Sequence, residues 1–91
     1  MNFYKISVCY KGTKYSGWQI QKEQKITVQG EINLALTKLC QSEDIKTLGS
    51  SRTDAGVHAI EQVFRAGLPI KLPLNAIIQG LNSFLPSDIR I

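Results

Sequence analysis

Residues 73–91 read PLNAIIQGLNSFLPSDIRI, and this stretch decides how the chain folds. Pro73 suits the first turn of a helix, where its missing N–H is not needed, and Pro86 stops the helix. Between the two prolines, apolar side chains recur at helical spacing: Leu74, Ile77, Ile78, Leu81 and Leu85. Residues 88–91 predict a strand, so the C-terminal part of the chain is expected to form a helix followed by a strand.

The N-terminal part predicts a strand followed by a helix. Residues 3–10 alternate in polarity, which is typical of a strand with one buried face. That face carries Tyr4, Ile6, Val8 and Tyr10. Thr27 can cap a helix over 28–41. The apolar stripe of this helix consists of Val28, Ile32, Ala35, Leu36 and Leu39.

Two short β-compatible segments lie in the middle of the chain, at 45–50 and 58–66. In the second segment, apolar and polar residues do not alternate regularly, so the sequence does not indicate which of its faces is buried. The complete order is β-α-β-β-α-β, which is typical of the α+β ferredoxin-like fold. We therefore expect a four-stranded antiparallel sheet with both helices on one face. Because this fold hosts many functions, the function has to be argued from a site.

Length and composition exclude several classes of function. The 91 residues amount to one domain, which cannot by itself form a cleft between two domains. A net charge of +4 is mildly basic and does not by itself identify a nucleic-acid partner. Two cysteines and one histidine are too few for a zinc site. The sequence shows neither a signal peptide nor a membrane span, so we expect a cytoplasmic protein with no membrane partner.

The segment GSSRTDAGVHA, residues 49–59, concentrates the reactive side chains. Asp54 lies where a turn can present a carboxylate, and Arg52 is near enough to pair with it and keep it ionised, as a nucleophile or base requires. Gly56 allows a positive φ or a close approach to a ligand. His58 adds a donor or acceptor. Physics alone favours a plainer interpretation, a polar turn with a surface Asp–Arg pair worth under about 1 kcal/mol.

Four segments together resemble the TruA-type tRNA pseudouridine synthases. SRTDAGVHA at 51–59 is similar to the GRTDxGVHA signature of that family, and YKGTKYSGWQ at 10–19 is similar to its YDGxxYxGWQ segment. TVQG at 27–30 opens a helix that resembles TVQGxLExAL. The stretch around Asn82 and Pro86 resembles LNxxLPxDI. The four segments occur in the family's order and cover nearly the whole chain.

The resemblance implies a specific reaction. TruA-type enzymes convert uridines 38, 39 and 40 of the tRNA anticodon stem-loop to pseudouridine, with no cofactor and no metal. Asp54 matches the aspartate of the family's RTD motif, which attacks the target nucleotide at the ribose or at the base ring after the nucleotide has left the base stack. The uracil then detaches, turns and rejoins through carbon. Arg52 matches the arginine that pairs with the aspartate and helps to hold the flipped nucleotide.

Residues 11–27 show no secondary-structure period, and long ordered loops are often functional. Tyr15 and Trp18 are candidates for stacking on bases. Four lysines are candidates for phosphate contacts: Lys11, Lys14, Lys22 and Lys25. Gln19 and His58 complete the candidate RNA-binding residues. The plainer interpretations are that Trp18 packs on the sheet, that the lysines are solvated and that His58 is structural.

The sequence also departs from the family pattern. Ser51 replaces a usual glycine, Glu61 stands where a glycine often precedes Gln-Val, and Lys11 replaces an aspartate; none of these changes removes a catalytic group. The resemblance implies a second, C-terminal domain that carries an active-site tyrosine, and we expect this domain to be absent from the 91 residues and to lie beyond Ile91. The resemblance therefore implies an N-terminal catalytic-aspartate domain, which we expect to be inactive alone. The sheet edge or face that would meet the second domain should be exposed and apolar, and such a surface favours a homodimer. The alternative is a non-catalytic ferredoxin-like RNA-binding module, but residues 58–66 contain no RNP1 motif.

Overall fold

The computed structural model describes residues 1–21 and 25–91. Its helices and strands are, in chain order, β1 (Asn2–Tyr10), α1 (Val28–Cys40), β2 (Lys46–Gly49), β3 (Ala59–Leu68), α2 (Leu74–Phe84) and β4 (Ile89–Arg90). A short 3-10 turn, Gly12–Lys14, follows β1. The strands stand in the order β2-β3-β1-β4, and every neighbouring pair is antiparallel. The predicted α+β, ferredoxin-like arrangement is confirmed.

Both helices pack on one face of this sheet. Ile6 and Val8 of β1 are buried on that face, together with Phe64, which lies opposite Ile6 on β3. They form one core with buried side chains of the two helices, namely Val28, Ile32, Ala35, Leu36, Ile77 and Leu81. The described residues leave the other face of the sheet open, and Phe3 and Leu48 on it are 57% and 66% exposed.

Helix α1 begins where the sequence predicts, because Thr27 caps it. The Oγ1 atom of Thr27 accepts a hydrogen bond of 3.1 Å from the N–H of Gly30. This bond satisfies one of the donors that the first turn of a helix leaves unpaired. The helix ends at Cys40, and Gln41 then adopts a left-handed conformation with φ of 53°, as residues after a helix often do.

Helix α2 buries only part of its apolar stripe. It begins at Leu74, so Pro73 is the residue before the first turn and not within it. Ile77 is buried, whereas Leu74 is 69% and Ile78 46% exposed. The uncovered side chains lie beside β1, at a place where the short strand β4 does not reach. Within the described ranges, neither helix is long and apolar enough to cross a membrane.

Strand β3 contains a β-bulge, which is why the sequence could not assign its buried face. Val8 lies opposite Gln62, whereas Tyr10 lies opposite Ala59, so β3 has one residue more than β1 over this stretch. A bulge interrupts the alternation of side chains that a regular strand shows. Ile60, within the bulge, is 97% exposed.

Candidate active site

Residues 50–58 form the loop between β2 and β3, and Asp54 lies on it, between the second and third strands as expected. Gln62 of β3 holds the start of this loop. Its side chain is only 4% exposed. Its Oε1 accepts a 2.9 Å hydrogen bond from the Ser51 hydroxyl, and its Nε2 donates to the Ser51 carbonyl. A buried amide with both ends paired fixes the chain at that point.

The residue before Asp54 is fixed from two sides. The hydroxyl of Tyr10 and the Oγ1 atom of Thr53 lie 2.7 Å apart in a hydrogen bond. The backbone N–H of Trp18 donates to the carbonyl of Thr53 at 3.1 Å. Because Tyr10 and Trp18 both belong to the hydrophobic core, the backbone next to the aspartate is attached to the rigid part of the domain.

The chain turns sharply after Asp54. The N–H of Val57 donates to the carbonyl of Asp54 at 3.2 Å. Gly56, inside this turn, has a φ of 79°, the positive value that glycine adopts readily. The N–H of Gly56 in turn donates to the carbonyl of Tyr15 at 3.1 Å. The loop is therefore bonded to the segment after β1 on both sides of the aspartate.

That segment approaches the loop very closely. The N–H of Gly12 donates to Nδ1 of His58 at 2.9 Å, which leaves the imidazole proton on Nε2. Gly17 has a φ of 88°, and a Cβ atom added there would lie 2.5 Å from the carbonyl oxygen of Thr53. A side chain at residue 17 is therefore excluded by both the backbone conformation and the space available.

The side chains of Arg52 and Asp54 are exposed, in contrast to the fixed backbone between them. Across residues 1–21 and 25–91, neither side chain has a hydrogen bond or an ion pair. The pair that the sequence predicts is therefore not formed, and an exposed pair gains little over separate hydration. Among the described residues, nothing binds the acceptor sites of the Asp54 carboxylate or the five donors of the Arg52 guanidinium.

Tyr15 and Trp18 are core residues, which corrects the expectation that their rings stack on RNA bases. Trp18 is fully buried, with its ring 6.4 Å from that of Tyr10 and 5.7 Å from that of Phe64. Tyr15 is 6% exposed, and its hydroxyl donates to a carboxylate oxygen of Asp88. Burial, followed by this hydrogen bond, raises the pKa of Tyr15. Large rings stabilise a small core, which explains their placement.

The other candidates for RNA binding have different positions. Lys11, Lys14 and Lys25 are exposed, and Gln19 is half-buried. His58 is exposed and has the structural hydrogen bond to Gly12 described above. The prediction for Lys22 falls outside the described residues.

Sequence reasoning missed the buried glutamines that hold these segments together. Gln29 of α1 is 5% exposed. Its Oε1 accepts from the N–H of Ile20 at 2.9 Å, and its Nε2 donates to the carbonyl of Thr47 at 3.1 Å. It links the segment after β1 to β2, as Gln62 links the loop to β3. The available signal is a polar residue among buried positions, which is costly unless both ends of the amide are paired.

Comparison with known proteins assigns the chain to a family. The model of the tRNA pseudouridine synthase family matches residues 6–91. The chain belongs to this family. The matched range contains α1, α2 and β2–β4 in full, most of β1, and the whole of the loop that carries Asp54. The assignment agrees with the resemblance that four separate segments of the sequence indicate.

Several synthases are similar to this chain along its whole length. It is 41% identical to tRNA pseudouridine synthase A of Lacticaseibacillus casei over 91 residues, which is 100% of this chain and 36% of that protein. It is 48% identical to tRNA pseudouridine synthase A of Brachyspira hyodysenteriae over 92 residues, which is 100% of this chain and 36% of that protein. It is 46% identical to tRNA pseudouridine synthase A of Chlorobaculum tepidum over 87 residues, which is 96% of this chain and 35% of that protein. The chain spans about a third of the length of the curated relatives it matches.

Proposed function

We propose that this chain is the catalytic-aspartate domain of a tRNA pseudouridine synthase and that Asp54 is its nucleophile. The observation that supports this most directly is a contrast at Asp54. Hydrogen bonds to Thr53 and Gly56 fix the backbone on both sides, while the carboxylate is exposed and has no partner in the part of the chain that the structure describes. A nucleophile benefits from both properties, since a fixed backbone limits misplacement and an unpaired oxygen can attack.

The proposed substrates are uridines 38, 39 and 40 in the anticodon stem-loop of tRNA. The target nucleotide leaves the base stack so that the carboxylate can reach it. A carboxylate oxygen of Asp54 bonds to the ribose or to the base ring, and the bond between the ribose and N1 of uracil breaks. The uracil turns, C5 bonds to the ribose and loses its proton, N1 gains a proton, and Asp54 is released. The product is an isomer of the substrate, so the reaction consumes no oxidant, reductant or second substrate.

Arg52 is proposed to bind the flipped nucleotide and to approach Asp54 when that nucleotide is present. The two residues share one fixed loop, and a guanidinium can give two parallel hydrogen bonds to a phosphate or a carboxylate. A bound nucleotide would exclude water from the site, which strengthens the attraction between opposite charges. The absence of the pair in the open site is compatible with this role.

Phosphate contacts are proposed for the four lysines of the segment between β1 and α1: Lys11, Lys14, Lys22 and Lys25. Lys11 is next to Gly12, whose N–H binds His58, so this lysine stays beside the catalytic loop. Gln19 and His58 are proposed as polar contacts to the RNA. These groups together would position the anticodon arm, since phosphate contacts fix orientation without reading sequence.

In the whole protein, a second domain is proposed to complete the cleft over Asp54. The length of the relatives supports this, because the chain corresponds to about a third of them. Alone, the 91 residues are expected to bind tRNA without converting it. A cytoplasmic homodimer is proposed, with the open face that bears Phe3 and Leu48 as the contact surface. Sedimentation at rising protein concentration tests it, and Leu48→Lys is expected to weaken the dimer.

The central experiment is Asp54→Asn in the complete enzyme, with Asp44→Asn as the matched control because Asp44 is exposed and lies outside the loop. Carbodiimide-probed reverse transcription across the anticodon arm measures pseudouridine. We expect no product from Asp54→Asn, normal tRNA binding, and full activity from the control. Residual activity above about a tenth of the unaltered enzyme would reject Asp54 as the nucleophile. Tight tRNA binding without product by the unaltered enzyme would favour the non-catalytic RNA-binding module.

A further inference from the structure

Within residues 1–21 and 25–91, one edge of the central strand β1 is mostly unpaired. Strand β4 pairs with β1 only at Cys9 and Tyr10, and among the described residues no strand lies beside the rest of this edge. The N–H of Lys11 donates to the carbonyl of Asp88, the residue just before β4, so this N–H points to the β4 side of β1. Because backbone groups alternate in direction along a strand, the N–H and C=O groups of Phe3, Lys5 and Ser7 also point to this edge. Such a row of backbone groups is a template for another strand.

An apolar groove runs along the same edge. Its volume is about 270 Å³, and its lining consists of Tyr4, Lys5, Ile6 and Ser7 of β1, Leu74, Ile77 and Ile78 of α2, and Ile91. The exposed part of the α2 stripe, Leu74 and Ile78, forms one of its walls. The groove therefore combines unpaired backbone groups on one side with uncovered apolar side chains on the other.

The register of β4 shows how an extended segment would fit. Ile89 lies opposite Tyr10 and is fully buried, and Arg90 lies opposite Cys9 and is exposed. In antiparallel pairing each further residue lies opposite the preceding residue of β1. Ile91 therefore comes opposite Val8 and already lines the groove. The second and fourth residues after Ile91 would come opposite Ile6 and Tyr4, with their side chains toward α2.

We propose that this groove is a strand-binding site, and that the segment following Ile91 in the whole protein occupies it. The segment pairs antiparallel to residues 3–7 of β1 and places apolar side chains at its second and fourth positions. The site itself is inferred from the groove and the unpaired edge. The choice of the segment after Ile91 as its occupant rests on the proposed function, because the relatives are longer than this chain. Pairing satisfies the backbone of Phe3, Lys5 and Ser7, and it buries Leu74 and Ile78.

Two extended chains test the site directly. The first adds Thr-Val-Glu-Ile-Thr after Ile91, with apolar residues at the second and fourth positions. The control adds Val-Thr-Ile-Glu-Thr, which has the same composition but the opposite alternation. We expect the first extension to slow amide hydrogen exchange at Lys5 and Ser7 at least tenfold and to raise Tm by roughly 5–10 °C, while the control does neither. Equal behaviour of the two extensions overturns the proposal.

A second test uses the complete protein. Ile78→Asp places a charge in the groove and is expected to lower Tm by at least about 5 °C, whereas Leu34→Asp changes an exposed leucine of α1 outside the groove and should have a much smaller effect. Equal Tm values for the two variants count against the assignment. In the unextended chain carrying Leu48→Lys, which weakens the proposed dimer, protection of Lys5 and Ser7 that increases with concentration would mean that a second copy occupies the groove, which also overturns the proposal. None of these readouts depends on pseudouridine formation. A negative result would therefore reject the strand-binding site without counting against the proposed activity.

Discussion

At the scale of single residues, Thr53 anchors the loop and its neighbour Asp54 presents a side chain to the solvent. Thr53 has its side chain and its carbonyl bonded to core residues, while the side chain of Asp54 is exposed and has no bond within the described ranges. A loop built in this way can present one reactive group without becoming mobile itself. Substitutions at such a loop should therefore separate cleanly into those that change chemistry and those that change stability.

Arg52→Lys should belong to the first kind. The change keeps the positive charge but removes the planar fork that can bind a phosphate or a carboxylate with two hydrogen bonds. We expect a loss of about 10²-fold in kcat/KM for the complete enzyme, with Tm unchanged. Arg65→Lys, on the exposed face of β3 where the guanidinium lies 4.2 Å from the Phe3 ring centroid, is the control and should stay within a few-fold. Unchanged kinetics for Arg52→Lys would mean that Arg52 is only a surface residue.

Gly49→Ala should belong to the second kind. A Cβ atom at residue 49 would lie 2.4 Å from Nε1 of Trp18, so the indole has to move. We expect a destabilisation of about 1–3 kcal/mol, as for other overpacked cores, measured by urea unfolding. The same change in a Trp18→Phe background should cost less, because the smaller ring leaves room. An equal cost in both backgrounds would show that the strain does not come from the indole.

The residue roles that the sequence could not give are those that depend on packing. Trp18 and Tyr15 lie among lysines in the sequence, a pattern that also suits RNA binding, yet the fold places both rings in the core. Gln62 has no motif to mark it, and its role depends on a partner 11 positions away. In contrast, Asp54 and Gly56 were identified correctly as an exposed turn residue and a positive-φ glycine, because turn chemistry is local.

At the scale of secondary structure, local signals predicted the elements well and their ends less well. The cap at Thr27 and the breaker at Pro86 lie next to the helices they limit, and α1 and α2 end within one or two residues of the expected positions. Strand β3 extends to Leu68, past its predicted end at residue 66, because its pairing with Asn2 of β1 is not visible in the sequence of β3 alone. The bulge was hidden for the same reason.

Thr27→Ala tests the best-defined of these local signals. Removal of Oγ1 leaves the N–H of Gly30 without its partner, and the expected cost is about 1 kcal/mol relative to Thr27→Ser, which keeps the hydroxyl. Because Thr27 is only 3% exposed, both variants lose the same buried methyl group, and their difference isolates the cap. Urea unfolding of the two variants gives the comparison. Identical midpoints would indicate that another group caps α1.

At the scale of the whole molecule, the isolated chain should bind tRNA through charge and not through a formed cleft. If three to five phosphates are neutralised, the log–log slope of the affinity against salt should be about −2 to −4. Filter binding at several salt concentrations measures this slope, and the same samples should contain no pseudouridine. Binding that does not change with salt would contradict the proposed lysine contacts. Product formed by the 91 residues would contradict the need for a second domain.

The order of strands in the sheet has a consequence for how the protein is made. Of the four strands described here, β1 leaves the ribosome first and becomes a central strand, and its partners β3 and β4 begin only at Ala59 and Ile89. At ordinary rates of synthesis, β1 waits roughly 3–10 s for its first partner. Its apolar face is exposed to other nascent chains during that time, and non-local pairing of this kind is intrinsically slow. Chaperones that bind alternating apolar segments should therefore protect residues 2–10 until β3 has emerged.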